Sequence, residues 1–383
     1  MTISSPFFTA EHEAFRDSVR AFVRKEVEPF VTEWDEAGTF PRELYKKASD
    51  IGLIPLGYPE EYGGVEADLF YMIIAAQELA MAGCGGLSAS LMSHGIGSPP
   101  IVKYGSDELK QRVLPPIYAG DAISALAITE PGGGSDVAAL KTTAKRDGDH
   151  YIVNGSKTFI TSGMRADTYT VAVRTGEAGH KGISLLVIDR DTPGFSRTPL
   201  DRKMGWWCSD TATLYFDDCR VPAGNLLGEE SQGSKMMMIM NNFNFERIFM
   251  AAGCIGFARA CYEEVVDYAR QRQTFGRALI EHQVVRHKLA DMYMKIEASQ
   301  AYLEKLAWRI EQGDNPIADV CLLKNQSTLT MEYCAREAVQ TLGGAGFLRG
   351  PKSERIYREV RVNAIGGGAE EIMRDLASRQ LGL

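Results

Sequence analysis

YIVNGSKTFITSG, residues Tyr151 to Gly163, sets β-branched and aromatic residues among polar ones at close to the period of two that a half-buried strand requires. Asn154-Gly155 in its middle is a two-residue hairpin signal, so the stretch predicts two strands joined by a tight turn. Similar short segments follow at Tyr169 to Val173, Ile183 to Ile188 and Leu214 to Phe216. Gly148-Asp149 and Pro193-Gly194 punctuate them. Residues 121–232 therefore read as a β domain.

On either side the period changes. Phe15, Val19, Phe22, Val23 and Val27 fall on one face of an amphipathic helix that Thr9 would cap. Helical patterns continue from Tyr71 to Leu79 and from Asp107 to Leu114, where Pro115-Pro116 is expected to stop them. Beyond Gly233, the residues Ile248, Ala252, Ile255, Ala258, Tyr262, Val266 and Ala269 form one stripe. Long helices are expected from Gln283 to Glu311 and from Pro316 to Leu342, ended by Gly313 and Gly343-Gly344. The order is helices over 1–120, strands over 121–232 and helices over 233–383, without an internal repeat.

Composition narrows the function. Hydrophobic residues at 45% and charged residues at 24% of 383 exclude a fibrous or disordered chain. A net charge of -8 and a pI near 5.5 argue against nucleic acid as the main partner. No apolar run nears the ~20 residues of a spanning helix, Met236 to Met240 being far too short, so no membrane span is expected. The opening MTISSPFFTA has no basic region followed by an apolar core, which makes the cytoplasm the expected compartment. Seven cysteines without a C-x-x-C pair read as reduced thiols, and six histidines show no metal-ligand spacing. Neither disulfide nor metal is expected.

The string AITEPGGGSDVAA, Ala127 to Ala139, opens the strand region. Its glycines let the backbone approach an anion, and Thr129 and Ser135 offer hydroxyls and amides to a phosphate or a ring carbonyl. Alone, it reads more readily as a flexible turn.

In context it resembles the signature of the acyl-CoA dehydrogenase family, a resemblance that runs over essentially the whole chain. KTFITSG, Lys157 to Gly163, resembles the family's second flavin segment, with Phe159, where the family usually has tryptophan, and Thr161 against the isoalloxazine ring. RQTFGRALIEHQ is similar to the segment that reaches the flavin of a neighbouring subunit, through Arg272, Phe275 and Gln283. QTLGGAGF resembles the segment that holds the adenine end of FAD, through Gln340, Gly343 and Gly344. In the family's second signature Arg355 and Glu359 fit, while Gly350 replaces an acidic or amide residue.

The resemblance implies an α+β multidomain fold: an N-terminal helical domain, a middle antiparallel β-barrel-like domain and a C-terminal four-helix bundle. It implies FAD with further contacts from Leu126, Ile128, Thr129, Ser135 and Glu371, a homotetramer, and an electron-transfer flavoprotein as partner. The activity implied is FAD-dependent oxidation of an acyl-CoA thioester to the trans-2-enoyl-CoA. That reaction removes a proton beside the carbonyl while hydride leaves the neighbouring carbon. A carboxylate is the natural base, and burial must raise it from ~4.3 towards the working pH.

In most of the family this glutamate precedes a glycine in a segment matching AIGGGAEEIMRDL, but here its position is Gly367. Gly367 keeps a backbone N–H for the thioester oxygen, and one such donor contributes ~2.7–4 kcal/mol. A minority, including isovaleryl-CoA and long-chain acyl-CoA dehydrogenases, carries glutamate at the start of the first long C-terminal helix, as in FNFERIFMAA, which points to Glu246. Gly366, Gly367 and Gly368 would leave it room. From position alone, Glu246 reads as an ordinary acidic residue of a helix first turn, and Glu370 and Glu371 are rival carboxylates.

By the same resemblance Asn244 and Arg247 lie near coenzyme A, Ser135 serves flavin and thioester, and Leu87 to Met92 floor an apolar pocket. An acyl-CoA oxidase, a desulfinase-like lyase and a non-catalytic acyl-CoA-binding subunit are the alternatives. Long, branched, cyclic and terpenoid acyl groups all remain open.

Overall fold

The computed structural model describes residues 5–230 and 234–383, without the side chains of 234–243. The helices α1 (Ala10–Phe22), α2 (Val31–Ala37), α3 (Glu43–Asp50), α4 (Leu69–Ala80), α5 (Gly85–Leu91), α6 (His94–Gly97), α7 (Pro99–Tyr104) and α8 (Asp107–Tyr118) come first. Thr9 caps α1 as expected, its hydroxyl accepting from the His12 N–H at 3.3 Å. His12 completes the box by accepting from the Thr9 N–H at 3.0 Å, in the place usually held by glutamate. Val19, Phe22, Val23 and Val27 are buried, the last two on a wider π turn that prolongs the helix.

Pro115-Pro116 does not stop α8, which runs on to Tyr118. Both prolines lie in its last turn, where their carbonyls still accept from the N–H groups of Ala119, Asp121 and Ala122 at 2.9 Å each.

One seven-stranded sheet follows: β1 (Ser124–Ala127), β2 (Thr143–Asp147), β3 (His150–Thr161), β4 (Thr168–Arg174), β5 (Ile183–Asp189), β6 (Phe195–Pro199) and β7 (Thr211–Pro222). The strand order is β1-β4-β2-β3-β7-β6, with β5 on β4. β1 and β2 both pair parallel with β4, and the remaining pairings are antiparallel. Asn154-Gly155 is no hairpin, because β3 passes straight through it. The register with β7 shifts there, Val153 facing Cys219 and Gly155 facing Phe216. Asn154 bonds Asp218 through both side-chain atoms, at 2.9 and 3.0 Å. A Cβ on Gly155 would lie 2.8 Å from Thr142 Cα, in the segment just before β2. An Asn-Gly pair suits a bulge of close backbone approach as well as it suits a turn, and the β2–β3 turn sits instead at Gly148 (φ +61) and Asp149.

The C-terminal part holds α9 (Ser234–Gln271), a small hairpin of β8 (Gln273–Thr274) with β9 (Arg277–Ala278), α10 (Gln283–Glu311), α11 (Ile317–Leu342), α12 (Lys352–Ile365) and α13 (Glu370–Leu381). No helix among the described residues is long and apolar enough to cross a membrane.

Two cores meet on α4: Ala75 and Leu79 join the N-terminal helices and the sheet, while Leu69, Phe70, Ile73 and Ala80 pack with α9, α10, α11 and α12. The α4–α9 seam is tight at Gly256, where a Cβ would lie 2.7 Å from Gln77 O and 2.8 Å from Ala80 Cβ. Gly256→Val is expected to force the seam apart and to destabilise the fold by about 1–3 kcal/mol, read as a lowered midpoint in urea unfolding.

Candidate active site

Glu246 lies about three turns into α9, which starts at Ser234 rather than beside it. The helix N-terminus is thus too distant for the macrodipole to account for an acidic residue there. Below it the chain between α12 and α13 turns on glycine. Gly367 (φ +64) and Gly368 (φ +106) hold successive positive φ angles that L-residues seldom adopt.

A Cβ added to Gly367 would lie 2.5 Å from Met250 Sδ and 3.8 Å from Glu246 Oε1. The Glu246 carboxylate therefore borders the place a side chain at 367 would take. The protein around that carboxylate raises its pKa to about 7: burial lifts it, and Arg247 and Lys324 pull it part of the way back.

Two cations grip the glycine turn. Arg247, buried on α9, donates from Nε to the Gly367 carbonyl at 3.0 Å and from Nη1 to Asn244 Oδ1 at 2.8 Å. The two residues assigned from sequence to coenzyme A thus bond each other, and the guanidinium faces the turn. Lys324 on α11 is fully buried and donates from Nζ to the Gly368 carbonyl at 2.8 Å. Burial lowers its pKa to about 8. Its neighbour Asn325 donates to the Glu370 carbonyl at 2.9 Å. The Glu370 carboxylate pairs with Arg374 at 2.9 Å, and Glu371 is exposed.

A second group sits at the sheet. Leu126 lies on β1, and the buried Ile128 offers its carbonyl to Lys157 Nζ at 3.0 Å. Thr129 O accepts from Thr158 N–H at 2.9 Å, tying the two sequence strings together. Phe159 is 70% exposed with φ +60, at the second register shift between β3 and β7. A positive φ at an exposed aromatic is a strained arrangement that stands a ring out of the sheet. Thr161 closes the strand, half-buried. Ser135 lies in the exposed loop 131–136, where Gly133 N–H is engaged by the Glu130 carbonyl at 3.1 Å. That amide, at least, is not open to an anion.

Beneath this group lies an ion pair that sequence reasoning passed over. Lys157 is fully buried and donates to Glu130 Oε1 at 2.8 Å, while Glu130 also accepts from the N–H groups of Lys141 at 2.6 Å and Thr142 at 2.8 Å. Burial alone would raise the Glu130 pKa, yet its bonds to Lys157 and Thr142 bring it down to about 2. One charged pair thus joins the TEP string to the KTFITSG strand.

Arg272, Phe275 and Gln283 surround the β8–β9 hairpin, all exposed, Phe275 to 97%. Gln340, Gly343 and Gly344 are exposed at the end of α11, followed by Phe347 at 89%. Among the described residues no hydrogen bond or ring contact joins either set to Thr129, Phe159 or Thr161. Met92 ends α5 half-buried against the N-terminal core, with Leu87 and Leu91 wholly inside it. Lys324 was the other omission; it stands on the buried stripe of α11 with Cys321, Thr328 and Met331, where a lysine is out of place.

Family models match three consecutive segments: the acyl-CoA dehydrogenase N-terminal domain over residues 9–121, the middle domain over 125–219 and the C-terminal domain over 236–382. The chain is 37% identical over 377 residues to a mitochondrial long-chain specific acyl-CoA dehydrogenase of Rattus norvegicus, covering 98% of this chain and 87% of that protein. A putative acyl-CoA dehydrogenase crystal structure from Mycobacterium smegmatis superposes with a TM-score of 0.96 at 44% identity, over 99% of each chain. A glutaryl-CoA dehydrogenase from Mycobacterium smegmatis in complex with FADH2 gives 0.93 at 28% identity, over 99% of this chain and 96% of that one.

Lys157→Met would leave Glu130 buried without its counter-ion. The expected loss is about 3–5 kcal/mol, measured by chemical unfolding, and Lys157→Met combined with Glu130→Gln is expected to recover part of it.

Proposed function

This chain belongs to the acyl-CoA dehydrogenase family, and we propose that within it Glu246 is the base that takes the α-proton of the acyl-CoA thioester. The family's enzymes are FAD-dependent oxidoreductases. The observation that carries the reading is the Glu246 carboxylate lying 3.8 Å from where a side chain on Gly367 would begin. In this chain a side chain at 367 would sit at φ +64 and press on the end of the Met250 side chain, while the neighbouring carboxylate is supplied from α9.

The residues present fit the cofactor. Phe159 and Phe275 present rings that their own chain leaves uncovered, and Gly343 and Gly344 have open space where a side chain would stand. Phe159, Thr129 and Thr161 would meet the ring system from the sheet side. Arg272, Phe275, Gln283, Gln340, Gly343 and Gly344 would meet FAD held by a neighbouring copy, the chain acting as a homotetramer. FAD, when bound, supplies the acceptor for the hydride leaving the β-carbon.

Glu246 has the right tuning for its part. A carboxylate with a pKa of about 7 is a stronger base than a water-exposed one and is still substantially ionised at neutral pH. Arg247 would act on the substrate through the turn: its bond to the Gly367 carbonyl holds the peptide that follows Gly367, and the Gly367 N–H, on the peptide before it, would donate to the thioester oxygen. The proton stays on the Glu246 carboxyl until solvent re-enters. We assign the onward electrons to an electron-transfer flavoprotein in the cytoplasm and the substrate to a long-chain acyl-CoA, as in the long-chain relative's name.

Glu246→Gln is expected to keep the yellow flavin and thioester binding while slowing anaerobic flavin bleaching by about 10²-fold or more. Bleaching at an unchanged rate would move the base to another carboxylate. For the unaltered enzyme the bleaching rate is expected to rise with pH through about 7, because only the ionised Glu246 accepts a proton. A panel of acyl-CoA thioesters, assayed with electron-transfer flavoprotein or with oxygen as acceptor, selects the substrate and separates dehydrogenase from oxidase.

A further inference from the structure

Lys324 is 0% exposed, and its one direct bond among the described residues is to the Gly368 carbonyl at 2.8 Å, a neutral group. It forms no ion pair there. Burying an ammonium without a carboxylate beside it is unfavourable, and an apolar residue of similar length would fill the same space at lower cost. Such a residue persists in a fold when its charge is used.

The groups around it indicate the use. From α9 it faces Glu246, Arg247 and Cys254; from α13, Glu370; and α11 itself contributes Cys321, which faces Arg247. Cys254 and Cys321 are buried thiols whose pKa values are raised, Cys254 to about 12, so they carry no charge at neutral pH. Glu370 is paired with Arg374 and Arg247 with Asn244 and Gly367. Glu246 is the carboxylate in this cluster with no ion-pair partner of its own among the described residues.

We propose that Lys324 is a positioning residue for the dehydrogenation: from the buried face of α11 it fixes the second carbonyl of the glycine turn and provides the counter-charge that keeps Glu246 ionised beside it. The proposal rests on Glu246 being the base. Arg247 and Lys324 divide the work, each holding one of two consecutive carbonyls, from α9 and from α11, and Glu246 Oε1 borders the same turn, 3.8 Å from a Cβ on Gly367. Long-range attraction, with no direct salt bridge, leaves the carboxylate free to reach the substrate.

The test uses the flavin-loaded enzyme and the acyl-CoA that bleaches it fastest. The anaerobic bleaching rate is followed across pH for the unaltered protein, K324M, K324Q and E246Q, with flavin content and unfolding midpoint as controls. K324Q keeps a hydrogen-bond donor for Gly368 and removes the charge, and so serves if K324M does not fold. The acid limb is expected to move upward by about one pH unit or more in K324M and K324Q, which below the limb is about a tenfold loss of rate. K324R is expected to lie nearer the unaltered enzyme. A limb abolished in E246Q but unmoved in both neutral Lys324 variants, whatever their plateau rates, overturns this proposal alone. A limb that persists in E246Q removes Glu246 as base, and the Lys324 proposal with it.

Discussion

Glu359 on α12 accepts from the Gly85 N–H at 2.7 Å and from the Trp206 N–H at 3.1 Å. One carboxylate thereby ties the C-terminal helices to the start of α5 and to the loop before β7. Arg355, four residues away on the same face, reaches Gly83 O at 3.2 Å and Thr32 Oγ1 at 2.9 Å, and Arg358 pairs with Asp35 at 2.9 Å while lying over the Trp207 ring. Asp35, Arg355 and Glu359 are almost wholly inaccessible to solvent, and Arg358 is half-buried. Because a buried ion that loses its partner is strongly destabilising, these bonds hold the three parts in one relative arrangement. Burial raises the Glu359 pKa to about 7, so the joint is itself formed at the expense of an ionised carboxylate.

The same trade appears at the centre. Glu246 acquires a raised pKa by leaving water, and the two cations that limit the rise also pin the turn next to it. Burial raises the pKa of the half-buried Glu246, and Arg247 and Lys324 draw it part of the way back to about 7. The sheet uses a similar device in Glu130 and Lys157, where a buried pair joins two strings through residues 27 apart in the chain. In each case charge has been moved into the interior to fix backbone whose outer face stays available.

Periodicity found the long elements because burial is a repeating demand along a helix. Val19, Phe22, Ile248, Ala252 and Ile255 fall where their spacing placed them. It failed where one local signal serves two geometries. Asn154-Gly155 permits a left-handed turn and also a bulge, and only the pairing of β3 with β7 over its whole length selects the bulge. Pro115-Pro116 ends a helix in mid-course but is tolerated in a last turn whose carbonyls are met by the following loop. The first turn of α9 lies at Ser234, well before the apolar stripe that begins at Ile248, and reading the helix from that stripe makes Glu246 look like a first-turn residue.

The sequence by itself determined the family, the order of helical and strand regions, and the pairing of a glycine at 367 with a glutamate at 246, because these are carried by residue identity and spacing. Tertiary structure alone decided that Arg247 turns onto Gly367, that Lys324 enters the interior to hold Gly368, and that Glu359 joins three parts of the chain. A lysine on an apolar stripe looks like an error until the fold shows what its charge is near. Electrostatic energy depends on distance through space and on the water removed between groups, and neither quantity is written in the order of the residues.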